Sequence, residues 1–241
     1  MHTCVIDWGN TLIKLGHFEA GQLVNSWVSP DIEEIEEKLF KIPAKRGMLS
    51  SVTQVPEAFV KKMQQHGISI KTLTPEATLP FNNHYESKTT LGKDRIAAVA
   101  GAVSLYPDQA SLVIDMGTCI TYDYVDTGKN YLGGLISPGL KMRLRAMHEF
   151  TGRLPLVDYS MSIDGFEGKN TRQGMINGVL HGISAEVNGI IEAYRDKKGD
   201  FRVVLCGGDA NRFEYSIKAP IFVAPKLLLF GLNAILELNE T

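Results

Sequence analysis

Residues 5–14 read VIDWGNTLIK and residues 114–121 read IDMGTCIT. In each, an apolar run ends on an aspartate, a glycine follows two places on, and a threonine comes within four. An aspartate closing a buried strand is held at the sheet edge. The glycine lets the backbone turn tightly, so that its N–H groups can approach a phosphate. A bare carboxylate repels phosphate, so such a turn implies a cation between the two. One turn of this kind is usually an ordinary β-turn. Two copies, each opening a run of short strands, point to a duplicated phosphate-holding unit.

Outward from the first turn, TCVID (3–7), TLIKLGHF (11–18) and QLVNSWV (22–28) predict a three-strand meander, with Gly9-Asn10 and Glu19-Ala20-Gly21 as its turns. A helix is expected from Asp31, where Asp31 and Glu34 have capping-box spacing and Ile32, Ile35 and Leu39 share one face. MLSSVT (48–53) reads as a strand, PEAFVKKMQQHG (56–67) as a helix between Pro56 and Gly67, and ISIKTL (68–73) as a strand. A loop then runs to residue 91, and a helix follows over 94–105.

The second turn opens the same series. SLVIDMG, CITYDYV and YLGGLI predict a second meander, with a hairpin at Asp126–Lys129. Helices are expected over 138–150 and 170–195, then the strand FRVVLCGG, a short helix, the strand IFVAP and a last helix. The registers of the two halves match. The expectation is an α/β chain of two duplicated lobes, residues 1–108 and 109–241, with a nucleotide gripped in a cleft between them.

Composition excludes several classes. The 241 residues are 44% hydrophobic and 22% charged, ordinary for a chain with a packed core. A net charge of −2 offers no general attraction to nucleic acid or anionic membrane. Cys4, Cys119 and Cys206 lie far apart with no C-x-x-C pair, which argues against a zinc ribbon, a redox motif or a disulfide scaffold and for a reducing, cytoplasmic setting. No signal peptide is expected from MHTCVIDWGN. The apolar stretch APIFVAPKLLLFGLNAIL is interrupted by Pro225, Lys226, Gly231 and Asn233, so no membrane span is expected there. The six histidines have no ligand spacing, no serine has a G-x-S-x-G context, and neither a P-loop nor a Rossmann fingerprint occurs.

Three further stretches bear on chemistry. In LGKDRIAAVAGA (91–102), Asp94 stands at a helix start. It reads equally as a cap or as a group orienting a hydroxyl, with Arg95 clamping a carboxylate through its planar fork. Gly133-Gly134 lets something approach a strand closely, and the helix after Pro138-Gly139 is expected to show a solvated basic face at Lys141, Arg143 and Arg145. In LCGGDANRF (205–213), Gly207-Gly208 is either a seat for a flat ring or ribose or a tight β–α turn.

DWGNTLIK, GKDR, DMGTCITYD, GGLISPG…TGRLP and NTRQGMING, running in this order from residue 7 to 178, with CGGD extending to 209, resemble type III pantothenate kinase. That family belongs to the acetate and sugar kinase/actin-like superfamily, with two ribonuclease-H-like lobes of βββαβαβα type. The resemblance implies ATP-dependent phosphorylation of pantothenate to 4′-phosphopantothenate, the first step toward coenzyme A. By position, it implies that Asp7, Trp8, Gly9, Asn10, Thr11, Leu12, Ile13 and Lys14 bind the ATP phosphates, with Asp7 near the metal–phosphate (Mg²⁺ or a similar divalent ion) and Thr118 a further ATP contact. Tyr85, Gly92, Lys93, Asp94 and Arg95 would bind pantothenate, with Asp94 the proton acceptor and Arg95 on the carboxylate. Asp115 would hold K⁺ or NH₄⁺. Thr171 would reach the substrate from the partner subunit of a homodimer with a shared active site. Trp8 is bulkier than usual for the family and must point away from the phosphates. Two other functions stay open on these residues: another small-molecule kinase of the superfamily, and a non-enzymatic regulatory homologue.

Overall fold

The computed structural model describes residues 1–158 and 165–239. They fall into two compact units: Met1–Gln109 with Tyr124–Gly133 and Lys226–Thr241, and Ala110–Asp123 with Gly134–Pro225.

The first unit is built on β1 (His2–Trp8), β2 (Ile13–Glu19), β3 (Gln22–Ser29), α1 (Ile32–Leu39), β4 (Arg46–Ser51), α2 (Glu57–Gln65) and β5 (Ser69–Thr72). Its sheet runs β3-β2-β1-β4-β5. β1, β2 and β3 pair antiparallel, whereas β4 and β5 pair parallel beyond β1. Side chains alternate across β1. Cys4, Ile6 and Trp8 join Leu15, Ile35, Leu39, Phe59 and Met63 in the core under α1 and α2. Thr3, Val5 and Asp7 alternate to the other face of the sheet.

A two-residue strand, β6 (Asn82–Asn83), lies in the stretch read from sequence as plain loop, followed by a 3₁₀ turn at Lys88–Thr90. β6 pairs parallel with residues 130 and 131. A strand so short carries no periodicity of its own; its distant partner makes it a strand. α3 (Lys93–Leu105) follows, with Arg95 to Val103 all buried.

Three strands then repeat the meander: β7 (Ser111–Met116), β8 (Cys119–Val125) and β9 (Asn130–Pro138). After them come α4 (Leu140–Glu149), α5 (Thr171–Lys198), β10 (Arg202–Cys206), α6 (Ala210–Phe213), a 3₁₀ turn at Glu214–Ser216, β11 (Ile221–Val223) and α7 (Leu227–Leu238). The sheet order β11-β10-β7-β8-β9-β6 repeats that of the first sheet, with β6 added at one edge. β10 pairs parallel with both β7 and β11. The duplication expected from the two turns is therefore a duplication of topology, with Asp7 and Asp115 near the ends of corresponding central strands.

α7 is apolar on almost every side because it is buried on almost every side. Its Gly231 lies against the Ala97 carbonyl of α3, and Gly101 of α3 against the Leu227 carbonyl. Toward the sheet, Phe230 meets Phe18 edge-on at 5.7 Å and Asn233 accepts the Thr3 hydroxyl at 2.7 Å.

The expected capping box at α1 is not reciprocal. Asp31 Oδ1 accepts the Glu33 N–H at 2.9 Å, but Glu34 takes the Ser29 hydroxyl at 2.6 Å, and Ser29 Oγ accepts the Asp31 N–H at 3.0 Å. A serine at the end of β3 stands between the two ends of the box.

Candidate active site

Asp7 and Lys14 are register partners on β1 and β2, and their side chains meet on one face at 3.0 Å. Between them the chain turns through Gly9, whose N–H donates to Leu12 O at 3.0 Å. Asn10, Thr11 and Leu12 are left exposed at the tip, while Ile13 returns to the core. The Trp8 side chain alternates away from Asp7 and packs edge-on to Phe59 at 5.1 Å, inside the core. A cavity of about 310 Å³ lies beside this turn, lined by Trp8, Asn10, Leu12, Pro30, Ile32 and Pro56.

Asp7 is only 4% exposed. Burial pushes its carboxyl above the ordinary value, Lys14 pulls it back by charge and hydrogen bond, and the charge of Asp94 pushes it up again. Asp94 thus lies within electrostatic reach of Asp7. It is not the N-cap of α3: Gly92 is, and Asp94 is the second residue of the helix. Asp94 Oδ1 accepts the N–H of Arg95 at 2.8 Å, satisfying one of the free donors of the first turn. That bond uses Oδ1, one of the two carboxylate oxygens, so the cap-like role and a chemical one are compatible.

Arg95 is buried, and its guanidinium lies over the Tyr85 ring, 5.6 Å from the centroid. Tyr85 in turn lies near parallel to Tyr131, centroids 6.3 Å apart. It also lies on Gly133, where a Cβ would come within 3.2 Å of the ring. Gly133 has φ +120°, a conformation that side chains rarely adopt. The group that approaches the glycine of this strand is Tyr85. Lys93 and Gly92 sit half-buried at the same helix start.

In the second unit, Asp115 is half-buried near the end of β7 and Thr118 is exposed in the following turn. The Gly117 N–H donates to Cys119 O at 3.0 Å, and the Gly139 N–H to Thr118 O at 3.1 Å. Gly207, with φ +93°, packs against Asp115 Oδ1 and the Met116 backbone, and the Asp209 N–H donates to Met116 O at 3.0 Å. Gly207 therefore makes the tight turn, and Gly208 faces open space. Burial raises the Asp209 carboxyl, against the charges of Arg212 and Lys141.

Arg143 corrects the expectation of a solvated basic face. It is half-buried, pairs with Glu186 at 2.5 Å, and donates to Ser137 Oγ and Pro138 O, each at 2.8 Å. Tyr122 donates to the other Glu186 oxygen at 2.8 Å. Burial works to raise the Glu186 carboxyl, but the hydrogen bonds from Arg143, Ser137 and Tyr122 outweigh it and hold it below its ordinary value. Arg145 is exposed as expected, paired to Glu149 one turn on. Thr171 is the exposed first residue of α5, whose N-cap Asn170 accepts the Gln173 N–H at 3.0 Å.

The model of the type III pantothenate kinase family matches residues 3–193. The chain belongs to the type III pantothenate kinase family. It is 40% identical to the type III pantothenate kinase of Christiangramia forsetii over 98% of both chains. It is 45% identical to that of Porphyromonas gingivalis, again over 98% of both. Among solved structures it resembles the ROK hexokinase of Thermus thermophilus, with a TM-score of 0.51, 14% identity and full coverage of both chains. That likeness speaks to fold alone: two ribonuclease-H-like halves of the kind found in actin-like ATPases and ROK kinases.

Set beside the family motifs, the structure adds residues that no motif named. Tyr131 underlies Tyr85, and Asn83 Oδ1 accepts the Tyr85 N–H at 3.0 Å. The alternation of β9 could have placed Tyr131 inward, but nothing in the sequence pairs it with Tyr85. Among the described residues no group of three or more His, Cys, Asp or Glu side chains could hold a metal ion. A cation at Asp7 or Asp115 would therefore need phosphate, backbone or water oxygens to complete its shell, which suits hard cations. No helix among the described residues is long and apolar enough to cross a membrane.

Proposed function

We propose that this chain transfers the γ-phosphoryl group of ATP to the primary hydroxyl of pantothenate, giving ADP and 4′-phosphopantothenate on the route to coenzyme A. The observation that carries this reading, beyond family membership, is the start of α3. There Asp94 stands within electrostatic reach of the buried Asp7–Lys14 pair, next to an Arg95 held over Tyr85. Two functions are needed for a hydroxy acid: a group at the hydroxyl and a cation for the carboxylate. Asp94 and Arg95 are adjacent in sequence and supply both.

Asp94 accepts the hydroxyl proton as the new O–P bond forms and the bond to the β-phosphate oxygen breaks. Positioning and charge neutralisation dominate such a step, so a strong base is not required. Arg95 binds the carboxylate, and Tyr85, Gly92 and Lys93 shape the rest of the pocket. The Asp7–Lys14 turn and Thr118 bind the ATP phosphates. Asp7 would help hold a divalent ion such as Mg²⁺, which would supply neutralisation of phosphate charge, and Asp115 would help hold K⁺ or NH₄⁺. Thr171 completes the pantothenate pocket of the partner subunit in a homodimer, and the enzyme works in the cytoplasm.

ADP release from ATP and Mg²⁺ tests this, with and without pantothenate, in K⁺ and then Na⁺ buffer. Release that depends on pantothenate and on K⁺ is expected. Release indifferent to pantothenate but driven by another small alcohol would move the chain to a different kinase activity, and no release with any acceptor would favour a regulatory protein. Equal rates in K⁺ and Na⁺ would remove the monovalent-cation role of Asp115.

A further inference from the structure

Residues 165–170, just before Thr171, lie along the first turns of α5 as a strap. Three α5 side chains at spacings of four, Gln173, Asn177 and His181, share the helix face that holds it. Gln173 Oε1 accepts the Lys169 N–H at 3.1 Å. The Phe166 ring lies against the His181 imidazole, centroids 4.5 Å apart. Gly168 packs directly on the Gly174 backbone.

Asn177 differs from its two neighbours on that face in being almost wholly buried, at 4% exposure. Its Nδ2 donates to both Gly165 O and Phe166 O, each at 3.1 Å. Both partners are carbonyl oxygens, so the amide must present its nitrogen, and both of its hydrogens are used. A buried amide satisfied in this way ties down backbone that no strand or helix ladder holds. The rest of α5 is anchored separately, through buried Met175, Ile176, Val179, Leu180 and Ile183. The entry to the helix depends on the strap and on the Asn170 cap, and the first turn is where helices fray.

We infer that Asn177 is a positioning residue: by tethering the strap it holds Asn170 and Thr171 in the geometry in which Thr171 meets substrate. The inference rests on the reading of Thr171 as a substrate contact. It predicts an effect on pantothenate affinity without one on the chemical step. An entry to α5 that is correctly formed only part of the time weakens binding by that fraction.

The test compares Asn177→Asp, which keeps the shape but removes both donors, with Asn177→Gln, which keeps them on a longer stem. Gly168→Ala displaces the strap by a second route, since its methyl would meet the Gly174 backbone. Thr171→Ala is the reference. KM for pantothenate, KM for ATP, kcat, and deuterium uptake over residues 165–171 are measured on the intact enzyme. Asn177→Asp and Gly168→Ala are expected to raise KM for pantothenate about five- to tenfold, the effect of losing one or two net hydrogen bonds. The KM for ATP and kcat should stay within about twofold, as for loss of binding shared by ground and transition states. Uptake over the strap should quicken in both variants, and Asn177→Gln should fall between them and wild type. If Thr171→Ala raises KM while Asn177→Asp and Gly168→Ala leave it unchanged, the inference fails and the role of Thr171 stands. If uptake quickens but Thr171→Ala is silent, the reading of Thr171 fails, and the coupling inferred here falls with it. Equal losses in kcat and in both KM values would mark Asn177 as merely structural and overturn the inference.

Discussion

Asp7 shows how a single carboxylate is set for its place. It lies at the end of a buried strand, so desolvation raises its proton affinity, and Lys14 across the ladder only partly restores the charge. The folded chain therefore binds the Asp7 proton more tightly than the unfolded chain. Its contribution to stability is fully present below the ordinary carboxylate value and is lost as pH climbs through the raised one. Unfolding free energies of wild type and Asp7→Asn, measured by urea titration across pH, should diverge from about pH 4 upward, wild type losing ground. Parallel curves would show that Asp7 titrates normally. Asp94 is proposed for chemistry rather than stability. Asp94→Asn is expected to lower kcat by about 10²–10⁴, the range for a general base, with the KM for ATP little changed. Near-normal turnover would remove Asp94 from the reaction.

Between elements, close backbone contacts decide the packing. Gly231 of α7 rests on the Ala97 carbonyl of α3, and a Cβ there would also come within 2.7 Å of Gly101 N. No flexible side-chain end stands in the way that could move aside; the obstacle is the backbone of another helix. Gly231→Val should therefore cost about 2–3 kcal/mol through overpacking, read as a lower urea midpoint with an unchanged slope. An unchanged midpoint would mean that the two helices do not meet there. Element types were largely legible in the sequence. Both meanders, the helix after Asp31 and the long helix after Asn170 follow from periodicity and caps. The exceptions share a cause. β6 is a strand only through its pairing with residues 130 and 131, Arg143 turns from solvent to Glu186 of the next helix, and Glu34 bonds Ser29 instead of closing its capping box. Each is decided by a neighbour that no local pattern names.

At the scale of the molecule, the proposed sharing of sites between subunits gives a prediction that a monomer could not meet. In dimers pairing a Thr171→Ala chain with an Asp94→Asn chain, one site keeps both residues and the other has neither, so about half of the wild-type rate should return when pantothenate is well below KM. Activity no higher than the mean of the two parent homodimers would rule out sharing. The sequence by itself determined the order and type of most elements and the duplicated topology, and it nominated the residues proposed here for phosphoryl chemistry. Those depend on apolar periodicity and on short spacings such as Asp7 to Lys14, which local backbone geometry turns directly into structure. Only the tertiary structure decided that Tyr85 lies on Gly133 and under Arg95, that α7 seats on α3, and that Asn177 holds the strap before Thr171. The contact of Tyr85 with Gly133 and the seat of α7 on α3 join residues far apart in the chain, and all of these contacts depend on side-chain volume and hydrogen-bond satisfaction in a packed interior. No spacing in the sequence encodes them.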